Sequence, residues 1–142
     1  MNIFPAFMEH PANKIVKSNQ ATPGVEGFIF DGIDGSQMAF WTCTQTAQSA
    51  AHVHDFDEYM VVVEGCYTLI IDGRRIPLRR GDEYFIGRGT EHSGEVVAGT
   101  RTIHAFAVTA PTEWGFNPSH NGPFLNAHLL TDPWCAQSPR YA

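Results

Sequence analysis

Long apolar runs are missing from this 142-residue chain, and no stretch approaches the roughly 20 apolar residues that a bilayer-crossing helix needs. Basic residues are scarce as well. Nine Lys and Arg stand against fifteen Asp and Glu, a net charge of -6, and no basic cluster exceeds a pair. A nucleic-acid surface needs a basic stripe, so no nucleic-acid partner is expected, and no membrane partner either. Cysteine is limited to Cys43, Cys66 and Cys135, an odd number without C-x-x-C spacing. That indicates neither a disulfide framework nor a zinc ribbon, so reduced thiols and a cytoplasmic location are the simplest expectation. The opening segment MNIFPAFMEHPANK has neither the basic start nor the apolar run of a secretory signal. Internal repeats, low-complexity tracts and a convincing helical period are absent too.

What is abundant points one way. Thirteen Gly and nine Pro accompany ten Phe, four Tyr and three Trp, a composition of short strands joined by tight turns. At 43% hydrophobic and 17% charged, the chain can build one core and is short for two domains. Candidate strands are Gly27–Phe30, Gln37–Thr44, Ala51–Val53, Glu58–Glu64, Cys66–Ile71, Arg74–Leu78, Glu83–Ile86, Gly94–Val97 and Thr100–Val108. The separators include Asp72-Gly73, a strong hairpin signal because a type I′ turn needs positive φ at both central residues. Strands at this spacing predict an all-β sandwich, jelly roll or closed barrel. The domain reading is an N-terminal arm over 1–26, a barrel over 27–110 and a C-terminal extension over 111–142. The extension carries Trp114, Phe116, Phe124 and Trp134, and is expected to pack on the barrel or on a neighbouring subunit.

Chemistry concentrates in Ala51-His52-Val53-His54-Asp55-Phe56-Asp57-Glu58-Tyr59. Residues two apart on an extended strand share a face, so His52 and His54 can bite one ion together. A short turn through Asp55–Asp57 then brings Glu58 inward at the head of the next strand, followed by Met60 and Val62 on the same face. An inward carboxylate needs a cation or a donor. Two imidazoles and a carboxylate suit Fe, Mn, Co, Ni, Cu or Zn better than Mg or Ca. Seven His in this length give about 0.35 His-x-His pairs by chance, and the Glu four residues on reduces that to roughly 0.02.

These residues resemble the cupin superfamily, whose first motif is G-x5-H-x-H-x3,4-E-x6-G and whose second is G-x5-P-x-G-x2-H-x3-N. The first is matched by His52, His54, Glu58 and Gly65, with Thr46 in place of the opening Gly. The second is matched by Gly81, Gly89 and His92, with Gly87 in place of Pro and Val96 in place of Asn. The fifteen residues from Cys66 to Arg80 between the motifs are close to the short, microbial form of the family. The resemblance implies a double-stranded β-helix, or jelly-roll barrel. Inside it, His52, His54, Glu58 and His92 would hold one divalent transition metal ion per chain, with positions left open for water or ligand.

Other residues are candidates by position. Along Thr100–Phe106, Thr102, His104 and Phe106 share one face, and Arg101, Ile103 and Ala105 the other. If the first set faces inward, His104 stands near the metal as a proton donor, base or orienting group. If the second does, Arg101 could clamp a substrate carboxylate. Tyr84 is a further substrate-binding candidate, and Met38, Phe40, Met60 and Phe106, with Trp41, are candidate pocket walls. Asp57 and Glu91 are expected to be exposed loop charges.

Three neutral imidazoles and one carboxylate leave a divalent ion with net positive charge, which favours an anionic chelating small molecule. The leading expectation is a metalloenzyme acting on a small oxygen-rich molecule (hydroxy, keto or carboxylate) as dioxygenase, isomerase or lyase. The alternative is a non-catalytic small-molecule binder or sensor. A homodimer is expected, because a lone small barrel exposes sheet edges and closed pairs are the commonest oligomers.

Overall fold

Asp72 and Gly73 both adopt positive φ, 51° and 72°, and this I′-type turn places Ile71 opposite Arg74. Hairpin registers of this kind, fixed by turn chemistry, set the pairing around them. The computed structural model describes residues 22–107, together with Met8 and 10–13. A 3-10 turn, Pro11–Asn13, precedes nine strands among the described residues. These are β1 Val25–Asp31, β2 Gln37–Cys43, β3 Ala47–Gln48, β4 Glu58–Glu64, β5 Cys66–Ile71, β6 Arg74–Arg79, β7 Glu83–Ile86, β8 His92–Val96 and β9 Arg101–Phe106. They form two antiparallel sheets, of order β1-β2-β9-β4-β7 and β3-β8-β5-β6, a jelly-roll β-barrel. The extension expected over 111–142 and most of the expected N-terminal arm lie outside the described residues.

Alternation along the strands sorts residues by face. Across the larger sheet, the cross-strand row Gln37–Phe106–Glu58–Ile86 points inward at one end of the barrel. The next inward row is Ala39–His104–Met60–Tyr84, and the third Trp41–Thr102–Val62. Val25, Cys43, Met60, Val62, Tyr67, Leu69, Leu78, Ile86 and Val96 form one core cluster. The end holding Glu58 is left for a cavity. Outward, Phe28, Phe30, Met38, Phe40, Tyr59 and Phe85 occupy adjoining rows, with Met38, Tyr59 and Phe85 exposed.

Two expectations are corrected here. No strand spans Ala51–Val53. The segment pairs only through a single bridge, His52 opposite His92, and the neighbouring strand is the two-residue β3. The chain from Ser49 to Asp57 has to cross from one sheet to the other, and only His52 forms a bridge on the way. The thiols also differ from one another. Cys43 is free and buried, its thiol pushed up to about 11 by burial, whereas Cys66 is disulfide-bonded. An odd count rules out complete pairing but leaves room for one bridge.

Candidate metal centre

Backbone pairing sets the centre. His52 N–H donates to the His92 carbonyl at 2.9 Å, and His92 N–H to the His52 carbonyl at 3.0 Å, so their side chains emerge side by side. Each ring is then oriented by its own local carbonyl. His52 Nδ1 lies 2.8 Å from the Ala50 carbonyl, and His92 Nδ1 lies 2.9 Å from the Thr90 carbonyl. A ring nitrogen facing a carbonyl carries the proton, so in the neutral form of each ring Nε2 is the atom available as a ligand.

His54 follows on a loop pinned at three points. Gly89 N–H donates to the His54 carbonyl at 2.8 Å, Arg88 N–H to Asp57 Oδ1 at 2.8 Å, and Ala107 N–H to the Asp57 carbonyl at 2.9 Å. Asp57, expected to be an exposed charge, is therefore a part-buried anchor of this loop; Glu91 is exposed as expected. One ligand atom from each of His52, His54 and His92 lies within 4.8 Å of the others, a spacing that could hold a metal ion.

Glu58 enters from the other sheet. Its Oε2 lies 3.3 Å from His54 Nε2 and 3.6 Å from His92 Nε2, and its Oε1 meets His104 Nδ1 at 2.6 Å. Burial opposes ionisation of this carboxyl, but the His104 and His92 groups at its two oxygens outweigh that and hold it at about 2. Burial lowers the pKa of His54, with Glu58 opposing; for His92, burial is outweighed by its contact with Glu58 and the pKa rises. In the metal-free protein, Glu58 therefore contributes stability that is complete above pH 4.5 and is lost as pH falls through 2. The contribution corresponds to about 3 kcal/mol. Urea midpoints should fall more steeply between pH 5 and pH 2.5 in the wild type than in Glu58→Gln; equal slopes would refute this assignment.

His104 faces inward, as one of the two sequence alternatives required, and Arg101 lies on the opposite face of β9. His104 is nonetheless not a cavity group. It is 1% exposed, its Nε2 meets Thr102 Oγ1 at 2.9 Å, and Trp41 covers its ring at a centroid distance of 4.0 Å. Both nitrogens are engaged, so its role here is to hold one oxygen of Glu58 and leave the other facing the histidines. Tyr84 packs against the core, and Met60 is fully buried within it. Met38 and Phe40 were expected as pocket walls and are corrected. Both point outward, Met38 exposed and Phe40 edge-on to Phe30 at 5.9 Å, because β2 turns its odd-numbered residues inward.

A cavity of about 310 Å³ opens beside the histidines. Its apolar walls include Trp41, Phe56 and Phe106, with Phe56 stacked on His54 at 4.6 Å and 16°. Gln37 and Tyr67 add polar groups. Phe56 and Tyr67 escaped the sequence reading. Phe56 was signalled only by lying between His54 and Glu58, and Tyr67 by sharing a period-2 face with Leu69 and Ile71.

Residues 40–109 match the family model described as the cupin domain. No curated protein sequence matches the chain. Among solved structures, an RmlC-like cupin from Shewanella frigidimarina NCIMB 400 superposes with a TM-score of 0.57 at 18% identity, covering 72% of this chain and 90% of its own. KdgF from Halomonas sp. gives 0.54 at 18% identity, with 64% and 88% covered. The polyketide cyclase RemF from Streptomyces resistomycificus gives 0.53 at 17%, with 65% and 76% covered. At these identities the likeness establishes the fold alone. No helix among the described residues is long and apolar enough to cross a membrane.

Proposed function

Residues 40–109 make this chain a member of the cupin superfamily, and on that premise we propose a metal-dependent enzyme acting on a small oxygen-rich molecule. His52, His54 and His92 hold one divalent transition metal ion, and Glu58 supplies the fourth ligand. The observation that carries this reading is the pair of tautomer-fixed rings, His52 and His92, converging with His54 on one point at the edge of an open cavity. The donor set fits: imidazole nitrogens beside a carboxylate held ionised suit Fe, Mn, Co, Ni, Cu or Zn. When bound, such an ion polarises coordinated oxygens as a Lewis acid.

The remaining work falls to the chain. His104 fixes the Glu58 carboxylate and Thr102 fixes His104, so the ligand cannot swing when substrate enters. Trp41, Phe56 and Phe106 wall the cavity beside the histidines and limit the size of the ligand. The dioxygenase, isomerase and lyase classes all fit this site. A second reading, a non-catalytic binder or sensor, is favoured by one observation: both nitrogens of His104, the inward histidine outside the cluster, are already engaged. The expected homodimer belongs to this proposal, with the outward apolar rows around Met38, Tyr59 and Phe85 as the face for a second copy.

The test is elemental analysis of wild-type protein and of His54→Ala, purified without chelator or a His-tag. The expected result is near one transition metal per wild-type chain and its loss in the variant. A wild type that holds no metal, and takes up none of Fe, Mn, Ni or Zn on addition, would overturn the reading.

A further inference from the structure

Tyr67 sits on β5 opposite Val96 of β8, and its ring runs diagonally across the inner face of β8. A Cβ added at Gly94 would lie 1.9 Å from the Tyr67 hydroxyl oxygen, so the oxygen occupies the space a side chain at Gly94 would fill. On the inward side of β8, Gly94 stands between Val96 and His92. The hydroxyl therefore reaches from the core end of the strand toward the histidines. A glycine inside a strand weakens it and marks a close approach by another group; here that group is a phenol oxygen.

Tyr67 is 7% exposed and lines the cavity, and its hydroxyl oxygen is not among the fully enclosed polar atoms left without a partner, so it keeps access to that cavity. A phenol O–H with access to a cavity can donate to an acceptor that enters from outside the chain. Burial, with the Glu58 charge nearby, pushes the phenol upward from its ordinary range and keeps it a donor.

We propose that the Tyr67 hydroxyl is a ligand-binding donor of this site, meeting an acceptor oxygen of the small oxygen-rich anion held at His52, His54 and His92. The inference rests on the metal-site reading above and narrows it. The ligand carries at least one oxygen beyond those that chelate, placed toward β5. Trp41, Phe56 and Phe106 enclose the rest of the molecule.

Oxalate is a suitable probe, since two of its oxygens chelate and two remain as acceptors. Wild type and Tyr67→Phe are each loaded with Co²⁺, metal content is measured, and oxalate is titrated by calorimetry and by the cobalt spectrum. The variant is expected to take up cobalt within twofold of wild type and to bind oxalate about 10-fold more weakly or worse. Its melting temperature without oxalate is expected to be unchanged, because the ring that packs in the core is kept. Equal oxalate affinity overturns the role of Tyr67, as does wild-type cobalt protein that does not bind oxalate. A fall of several degrees in melting temperature overturns it too, by showing that the hydroxyl serves the fold. A wild type without cobalt fails at the stoichiometry step, before oxalate is added, and takes the metal-site reading down together with this one.

Discussion

His92→Ala is expected to cut metal affinity by about 100-fold or more, a larger loss than the 10–100-fold typical of removing a group behind a ligand. The ring is 4% exposed, its tautomer is fixed by Thr90, and its backbone carries the bridge to His52. No described neighbour can replace it. Thermal unfolding gives a readout independent of any reaction. Metal at a thousand times its wild-type Kd stabilises by about 4 kcal/mol, or about 12 °C for a domain of this size. At the same metal concentration the variant should gain only about 1.4 kcal/mol, or about 4 °C. Taking each protein against its own metal-free state cancels the packing cost of losing the imidazole. Equal shifts in the two proteins would show that His92 is not a ligand.

Gly27→Ala is expected to cost about 4 kcal/mol, a large share of a typical domain's stability. A methyl there would lie 1.9 Å from the Phe40 carbonyl oxygen, which is backbone and cannot yield, and the residue's φ is +142°. Gly27 pairs with Trp41, so β1 closes tightly over the strand that supplies the aromatic wall. Gly81→Ala is the control. Its φ is +89° but nothing lies within 4 Å of the added methyl, so it carries only the conformational cost, about 1 kcal/mol. Urea denaturation of the two variants would separate the effects, and a Gly27→Ala midpoint no lower than that of Gly81→Ala would refute the clash.

Much of the fold was legible because turn chemistry and alternation are local signals. β4, β5 and β7 coincide with the expected Glu58–Glu64, Cys66–Ile71 and Glu83–Ile86, each bounded by Gly- or Asp-containing separators. What failed depends on partners distant in sequence. Nothing within Gln37–Cys43 says which parity faces inward, since aromatics and small residues occur on both faces. Pairing with β9 decides, and it turns Met38 and Phe40 out and Trp41 in. The expected strand at Ala51–Val53 rested on alternation alone, and the crossing between sheets leaves His52 and His54 close without a ladder beneath them. The histidine cluster was legible because its spacing is rare. Tyr67 was not, because its signal is Gly94. Starting the expected strand at Gly94 rather than at His92 disguised an interior glycine as a terminal one.

Strand order has a consequence for how the molecule comes into being. β9 is last among the described strands yet lies at the centre of the larger sheet, between β2 and β4. As the polypeptide leaves the ribosome, β1-β2 and β4-β7 emerge as separate ribbons, each with an unsatisfied edge until β9 slots between them. His104, which holds Glu58, rides on that strand. On the metal-site proposal, an ion meeting the nascent chain would find His52 and His54 close in sequence, with four strands between them and His92. Weak capture by that pair in the unfolded ensemble would subtract from the stabilisation the ion gives the finished barrel. On the proposed metal site, full affinity is therefore expected only once β8 and β9 have joined their sheets.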